Sequence, residues 1–388
     1  MFSNYFKNDL FNPLFIGFFL YFSSLSLRLV FPVPFLAVGS LFALIIFLFF
    51  SVKSLSKTKL LIVLCLYVFV VGSFFYSDLS PYGISKSFWM LSSFLLLLLV
   101  SVQKTNNLFL IKCAIETVSL IFLPIFLFHF ILYIFSDFNV FNRFDLNDAN
   151  PIIIAQIFLV FSISLITSRK RNLFRLAAGF SYFIMAVMTG SKGPILGTLV
   201  GIGLLVVLTF INPKKFIYLI MMVIVLTLLY IVLVANMPDS VISDYIFNRY
   251  LGESSGNSVN SRLTLYFSTF DAIGRLDFYQ LIFGAGIGSF SFYYTGFDDA
   301  IYPHNIFLES ILELGFIYTT IFFGALIYLL IKIYFKLYRF KNNKDLVFIW
   351  LFGCLAVSTS MFTGDLGTNW LVYMFMGMAL SGVGFVKK

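Results

Sequence analysis

The sequence predicts an all-α, polytopic integral membrane protein with about twelve transmembrane helices. Of its 388 residues 60% are hydrophobic and only 11% are charged, which leaves too little polar surface to cover a soluble globule of this size. Apolar runs long enough to cross about 30 Å of hydrocarbon recur along the whole chain. These runs lack the strict alternation of barrel strands, and backbone groups in lipid need internal partners, so helices are the predicted spanning form.

The twelve apolar runs have short links, except for one long loop between the ninth and the tenth. They cover approximately residues 11–28, 32–51, 59–76, 87–103, 110–135, 151–168, 173–190, 194–211, 216–235, 304–335, 345–363 and 368–386. The long loop covers residues 236–303. We therefore expect a single transmembrane domain over residues 1–388 in which this loop carries function, since a loop of that length is uncommon unless it is functional or disordered, and its composition is not that of a disordered segment.

The distribution of basic residues predicts the orientation of the chain. The net charge is +9, but if the N-terminus is cytoplasmic, nineteen of the 26 basic residues fall on the cytoplasmic side, as the positive-inside rule requires. These are Lys7, Lys53, Lys57, Lys59, Lys104, Lys112, Arg169, Lys170, Arg171, Arg175, Lys214, Lys215, Lys332, Lys336, Arg339, Lys341, Lys344, Lys387 and Lys388. We therefore predict that both termini are cytoplasmic, that the long loop lies outside, and that the positive charge serves topology and not a nucleic-acid partner.

The long loop contains a predicted helix in "SRLTLYFSTFDAI", residues 261–273. Leu263, Phe267, Phe270 and Ile273 recur at helical spacing, and Asn260 or Ser261 is a suitable N-cap. The pattern indicates a helix on the outer membrane surface.

A glycine-rich stretch, "LIFGAGIGSF", follows that helix. Gly284, Gly286 and Gly288 resemble a phosphate-binding loop, but such loops need a preceding strand and a parallel sheet. A membrane loop provides neither of them, so we predict a tight backbone turn.

Two cations on the outer side are candidate ligands for an anion, because charges at a membrane are costly and often functional. Lys192 lies in the short link between the seventh and eighth runs; it is either an interfacial lysine that snorkels or a fixed cation that faces a cavity. Arg262 is predicted to open the loop helix, where the helix macrodipole disfavours a cation. An anionic partner is therefore expected, either a ligand or one of the carboxylates of Glu253 and Asp271.

The stretch "YPHNIFLESILELGF", residues 302–316, places polar groups at the entrance to a membrane helix. A neutral histidine with an ordinary pKa near 6.5 can accept a proton from an attacking hydroxyl, which makes His304 a candidate general base. Asn305, Glu309 and Glu313 follow at four-residue intervals on one helix face and are candidate supporting residues. The alternatives are a capping role for His304 and Asn305, and ion pairing of the glutamates with a cation. His129 has no polar neighbours and is expected to have a packing role.

Four segments together resemble the O-antigen polymerase and O-antigen ligase superfamily, which builds bacterial surface polysaccharides. They are "TGSKGPILGTLVGI" (189–202), "NSRLTLYFSTFDAI" (260–273), "LIFGAGIGSF" (281–290) and "PHNIFLESILELGF" (303–316). Each segment is loose, but their order and spacing are more specific, and twelve spans with a long loop after the ninth fit as well. The first half of the chain is similar in hydropathy only.

The resemblance implies a GT-C-like fold and an enzyme of the bacterial inner membrane whose active site faces the periplasm. Its substrates would be oligosaccharides linked to undecaprenyl pyrophosphate, without nucleotide sugar, cofactor or required metal. By resemblance, Lys192 and Arg262 bind the pyrophosphate and His304 lies at the reaction centre. The first position is more usually arginine in the family, and lysine lacks the bidentate fork that suits phosphate oxygens. Further partners implied are membrane lipid and a chain-length regulator and flippase of the same pathway.

Three functions remain as alternatives at the level of sequence. The preferred one is a polymerase that transfers a glycan to the non-reducing end of another lipid-linked repeat unit, because the Phe-, Asn- and Lys-rich composition resembles that of such enzymes. The second is a ligase that transfers finished polymer to lipid A core. The third is a flippase or transporter of lipid-linked oligosaccharides, although transporters favour broken helices and charges near the midplane, whereas here the polar groups concentrate at one face.

Overall fold

A computed structural model describes most of the chain, namely residues 12–31, 44–46, 49–50, 57–75, 80–103, 105–137, 143–146, 149–170, 172–209, 253–340, 343–362 and 364–381. The helices over these residues are α1 (Pro13–Val30), α2 (Lys57–Ser73), α3 (Pro81–Ser101), α4 (Thr105–Leu132), α5 (Pro151–Ile166), α6 (Leu173–Met188), α7 (Lys192–Thr209), α8 (Glu253–Gly274), α9 (Phe278–Phe283), α10 (Phe290–Thr295), α11 (Ile306–Arg339), α12 (Lys344–Phe362) and α13 (Trp370–Ser381). A π-helical turn, Tyr133–Asp137, follows α4.

The predicted fold class, an all-α polytopic membrane protein, is confirmed. Five described helices are long and apolar enough to cross a membrane, and five shorter apolar helices accompany them. The predicted runs 32–51 and 216–235 lie largely or wholly outside the described residues, and each of the other ten runs coincides with one of these helices. No strand occurs among the residues that the structure describes.

Several helices begin with the same local signal, a capping side chain followed by proline. Asn12, Ser80 and Asn150 accept hydrogen bonds from backbone N–H groups of the first turns of α1, α3 and α5, and a proline follows each of them. The cap satisfies a donor that the helix leaves unpaired, and proline at the first helical position has no N–H to lose. The chain therefore specifies these helix starts locally.

The helices pack into one bundle with a continuous apolar core. The main neighbours are α5 with α6, α7 with α12, α3 with α13, and α1 with α4. Small residues permit close approach where α7 meets α12, because a Cβ on Gly197 or Gly201 would collide with Ser358 or Cys354. Close backbone approach at small residues is a typical means of helix association in membranes.

Helix α11 is broken at Gly315, which has φ 82° and ψ 173°. As one straight helix its 34 residues would extend about 50 Å, well beyond the hydrocarbon thickness of about 30 Å. The break separates a short segment, residues 306–314, from a second segment, residues 316–339. The second segment is about 36 Å long, which is enough to cross the hydrocarbon layer at a tilt. The single predicted run 304–335 is thus two helical segments.

The glycine-rich turn after α9 docks against this break. The N–H groups of Ala285 and Gly286 donate to the carbonyls of Leu312 and Glu313, at 2.7 and 3.0 Å. Irregular backbone is tolerated at membrane depth when protein groups satisfy it. A side chain on Gly284 or Gly315 would collide with the facing backbone, and both have positive φ. The predicted tight turn is confirmed. Its backbone N–H groups donate hydrogen bonds to carbonyls of α11.

The loop helix α8 begins earlier than the sequence predicts. It extends from Glu253 to Gly274, so the prediction that Asn260 or Ser261 caps it is wrong. Arg262 consequently lies inside the helix, and the macrodipole argument for an anionic partner does not apply, because that effect falls off within the first turn.

Candidate active site around His304

His304 has an unusual backbone conformation at the point where the loop enters α11. Its φ is 57°, and it is the one non-glycine residue with positive φ among those described. Histidine tolerates this left-handed region better than most residues, and such outliers merit attention as functional positions. Its imidazole contacts the Tyr302 ring edge-on, with 4.4 Å between the ring centroids. The backbone and the neighbouring ring together fix the imidazole.

Asn305 caps α11, as the sequence predicts. Its side-chain oxygen accepts hydrogen bonds from the N–H groups of Phe307 and Leu308, at 3.0 and 3.1 Å. Burial raises the pKa of Tyr266 on α8, and the nearby Asn305 side chain acts in the opposite direction. Asn305 therefore joins the loop helix to the start of α11 and holds the backbone next to His304.

Arg262 extends from α8 towards the same place. It is half-buried, and burial lowers the pKa of its guanidinium, whereas the phenols of Tyr266 and Tyr302 act in the opposite direction. Burial also raises the pKa of Tyr302 to about 12, with smaller contributions from nearby carboxylates, so that phenol stays protonated at neutral pH. Tyr302 thus contacts the His304 ring and lies close enough to Arg262 for the two groups to interact electrostatically.

Two further cations act on Arg262. Lys192 is the first residue of α7 and repels Arg262 electrostatically, and Arg143 does the same. Of the two carboxylates proposed as partners, Asp271 pairs with Arg275 on the protein surface, while the side chain of Glu253 lies outside the described ones. No salt bridge between described residues includes Arg262.

This cation set, Lys192, Arg262 and Arg143, suits a multiply charged anion. Like charges that lie close together repel each other, and an anion bound between them offsets that repulsion. Lys192 also lies at the start of a helix, where the unpaired backbone N–H groups favour negative charge.

The two glutamates of the predicted polar stripe are fully buried and bound by Lys86 of α3. The Lys86 ammonium donates to both carboxylates; its distances to the Glu313 oxygens are 2.9 and 2.7 Å. Glu309 also accepts from the N–H of Leu366, at 3.0 Å. This geometry fits the alternative that the glutamates pair with a cation. The sequence alone does not single out Lys86, which is one of the basic residues outside the predicted cytoplasmic set, because its partners lie more than 200 residues away in the chain.

The remaining candidates lie elsewhere. His129 is on α4 and contacts Phe128, with ring centroids 5.9 Å apart. Among the described residues no group of three or more His, Cys, Asp or Glu side chains is placed to hold a metal ion. The structure thus brings Lys192, Arg262, His304 and Asn305 together, and Tyr302 and Arg143, which sequence reasoning had not selected as site residues, join them.

A comparison with known families matches the part of the chain that contains Lys192, Arg262 and His304. Residues 176–323 match the family model described as O-antigen ligase. This range contains all four segments on which the resemblance rested, so the predicted resemblance to the O-antigen polymerase and ligase superfamily is confirmed over this part of the chain. No curated protein matches the chain significantly.

Proposed function

We propose that the protein is a surface-polysaccharide polymerase that transfers a glycan from undecaprenyl pyrophosphate to the non-reducing end of another lipid-linked repeat unit. The observation that carries the proposal is the cation set beside His304. Displacement of a lipid pyrophosphate from a sugar carbon needs positive charge where the leaving group becomes negative and a base for the incoming hydroxyl. Lys192, Arg262 and Arg143 supply the first, and His304 supplies the second.

The proposed step is a single displacement at the anomeric carbon of the donor sugar. The acceptor hydroxyl oxygen forms a bond to this carbon while the bond between the carbon and the pyrophosphate oxygen breaks. The hydroxyl proton passes to the imidazole of His304, and the electron pair leaves with undecaprenyl pyrophosphate. Positioned groups of this kind contribute by being preorganised, and the fixed backbone at His304 and the cap at Asn305 support that role.

The site is proposed to face the periplasm of the bacterial inner membrane, since the distribution of basic residues places the long loop outside. A reporter that is active only outside the cytoplasm, fused near Gly256, should then be active, and the same reporter fused near Asn342 should be inactive. The reverse pattern would overturn the orientation.

A ligase is the second candidate, because the matched family model is described as O-antigen ligase. The lipopolysaccharide of a deletion strain separates the functions. Lipid A core with a single repeat unit identifies a polymerase, whereas bare core with polymer accumulating on the carrier lipid identifies a ligase. Intact repeat units trapped on the cytoplasmic leaflet would instead identify a flippase and contradict both proposals.

A further inference from the structure

A cavity of about 310 Å³ adjoins the His304 site. It lies between α1, α3, α5 and the link that precedes α13, and Tyr302 forms part of its wall. Because Tyr302 also contacts His304, the cavity opens beside the reaction centre. Its volume is at the lower end of the range for small-molecule sites.

Asn369 is a polar group of this cavity that the protein leaves unsatisfied. The residue is only 6% exposed, and neither the nitrogen nor the oxygen of its side-chain amide has a hydrogen-bond partner among the described residues. Buried polar groups are nearly always paired, and an orphan requires an explanation. An amide offers two donors and an acceptor, which matches a ligand whose hydroxyl groups both donate and accept.

Aromatic rings supply the apolar part of the wall. Trp89 and Trp370 line the cavity together with Tyr302. Tyr21 and Phe22 hold the Trp370 ring by edge-on contacts, with centroids 6.0 and 5.9 Å apart. Rings with an apolar face and a few placed polar groups are the usual composition of small-molecule sites. A pyranose ring complements both parts of this wall, because its face of C–H groups can pack on the aromatic rings and its edge of hydroxyls can bond to the polar groups.

The link that carries Asn369 is rigidly built. The Asp365 carboxylate accepts from the N–H of Gly367, at 2.5 Å, and from the Thr368 hydroxyl, at 2.9 Å. Leu366 in the same link donates to Glu309, which Lys86 binds in turn. The buried ion cluster thus fixes the cavity wall in place, as preorganised recognition requires.

We propose that this cavity binds one pyranose residue of the glycan substrate and positions it beside His304. The proposal rests on the proposed function. This pyranose is either the terminal sugar of the acceptor or the first sugar of the donor. The two sugars present the same chemistry to the cavity.

Tryptophan fluorescence of the purified full-length protein tests the proposal directly. The chain has three tryptophans; two line the cavity, while Trp350 donates to the carbonyl of Gly201, at 3.0 Å, between α12 and α7. The probe is the repeat-unit oligosaccharide released from the host's own lipid-linked donor by mild acid, which removes both lipid and pyrophosphate. We expect a saturable change in emission that Trp350→Phe retains and Trp370→Phe largely removes.

Substitutions of Asn369 supply the specificity test. Asn369→Ala should weaken oligosaccharide binding about tenfold, as expected for loss of a hydrogen-bonding group, and Asn369→Asp serves as the variant of equal size if the alanine variant folds poorly. Arg275→Ala, whose ion pair with Asp271 is exposed on the protein surface, should leave the response unchanged. In transfer assays, a rise in KM for the oligosaccharide as acceptor identifies the acceptor sugar, and a rise in KM for the lipid-linked donor identifies the donor sugar.

Two results would overturn the proposal. The first is absence of any emission change in the parent protein. The second is an equal response to inorganic pyrophosphate that Arg28→Ala abolishes, which would make the cavity an anion site, since Arg28 also lines it. If the oligosaccharide fails to bind while His304 and Arg262 variants still lose transfer, the cavity assignment alone fails. If it binds while those variants transfer normally, the proposed function fails.

Discussion

Two groups of basic residues in this protein differ in the charges that surround them. Lys86, Lys112, Arg169 and Arg175 each lie within salt-bridge distance of a carboxylate that is buried or nearly so. The cation set around Arg262 instead places positive charges next to one another. The first group is balanced inside the protein and holds helices together. For the second group, the proposed function assigns an anion from outside. Both groups carry the same charge in the sequence, so only the surroundings of each side chain in the fold separate them.

The largest effect is expected when a cation of the salt-bridged group is removed. Lys86→Ala would leave the Glu309 and Glu313 carboxylates buried without their cation, and removing one partner of a buried ion pair costs about 3–5 kcal/mol. We expect a strong loss of folded protein, measured as the fraction that remains monodisperse after heating in detergent. The triple variant Lys86→Met, Glu309→Gln, Glu313→Gln should recover much of it. A stable Lys86→Ala protein would show that the cluster is not structural.

The next effect concerns His304. His304→Asn removes the base but keeps a residue that tolerates positive φ, so transfer should slow by about 10²–10⁴, the usual contribution of a general base. The measurement is polysaccharide chain growth in a deletion strain at matched protein abundance. His129→Asn is the matched control and should support normal growth. Equal loss in both variants would indicate a general defect.

The cation set should respond almost as strongly. Arg262→Ala and Lys192→Ala should each abolish chain growth while the protein remains inserted, because one positioned charge donor contributes about 10²–10³ in rate. Lys192→Arg should retain activity, since it keeps the charge and adds a bidentate fork. Arg275→Ala, whose ion pair is exposed on the surface, is the matched control. Long-chain product from Arg262→Ala would remove this residue from the site.

The smallest effect is expected at the α11 cap. Asn305→Ser keeps a side chain that can cap the helix but shortens it, so that the contact with Tyr266 weakens. Chain length should change only a few-fold, within the few tenths to 1 kcal/mol that capping substitutions involve. Asn305→Ala should be clearly worse than the serine variant. Equal behaviour of the two would mean that capping does not position His304.

Local signals account for what the sequence predicted well. Helix starts are specified by a cap and a proline within a few residues, and the apolar runs by length alone, so the described spans and the Asn305 cap were predicted correctly. The Gly315 break was missed because its cause is the docking of a glycine turn from a different segment. The start of α8 was misplaced because polar residues 253–260 lack an apolar period that would extend the pattern.

Long-range pairing accounts for what the sequence could not give. Lys86 lies more than 200 residues from Glu309 in the chain, and no local pattern joins them. The same holds for Tyr302 and Arg143, whose relation to Arg262 depends on how the loop folds back. The sequence nevertheless contained a usable signal for the site, since His304 and Asn305 stand together after a proline at the entrance to a membrane helix.

The most direct test measures donor binding and transfer in the same preparation of purified protein with a lipid-linked donor. We expect His304→Asn to bind the donor with an affinity close to that of the parent but to transfer the glycan at least about 100-fold more slowly. Arg262→Ala should lose donor affinity as well, because it removes a pyrophosphate ligand. If His304→Asn transfers glycan within a few-fold of the parent rate, the histidine is structural and the proposed mechanism is wrong.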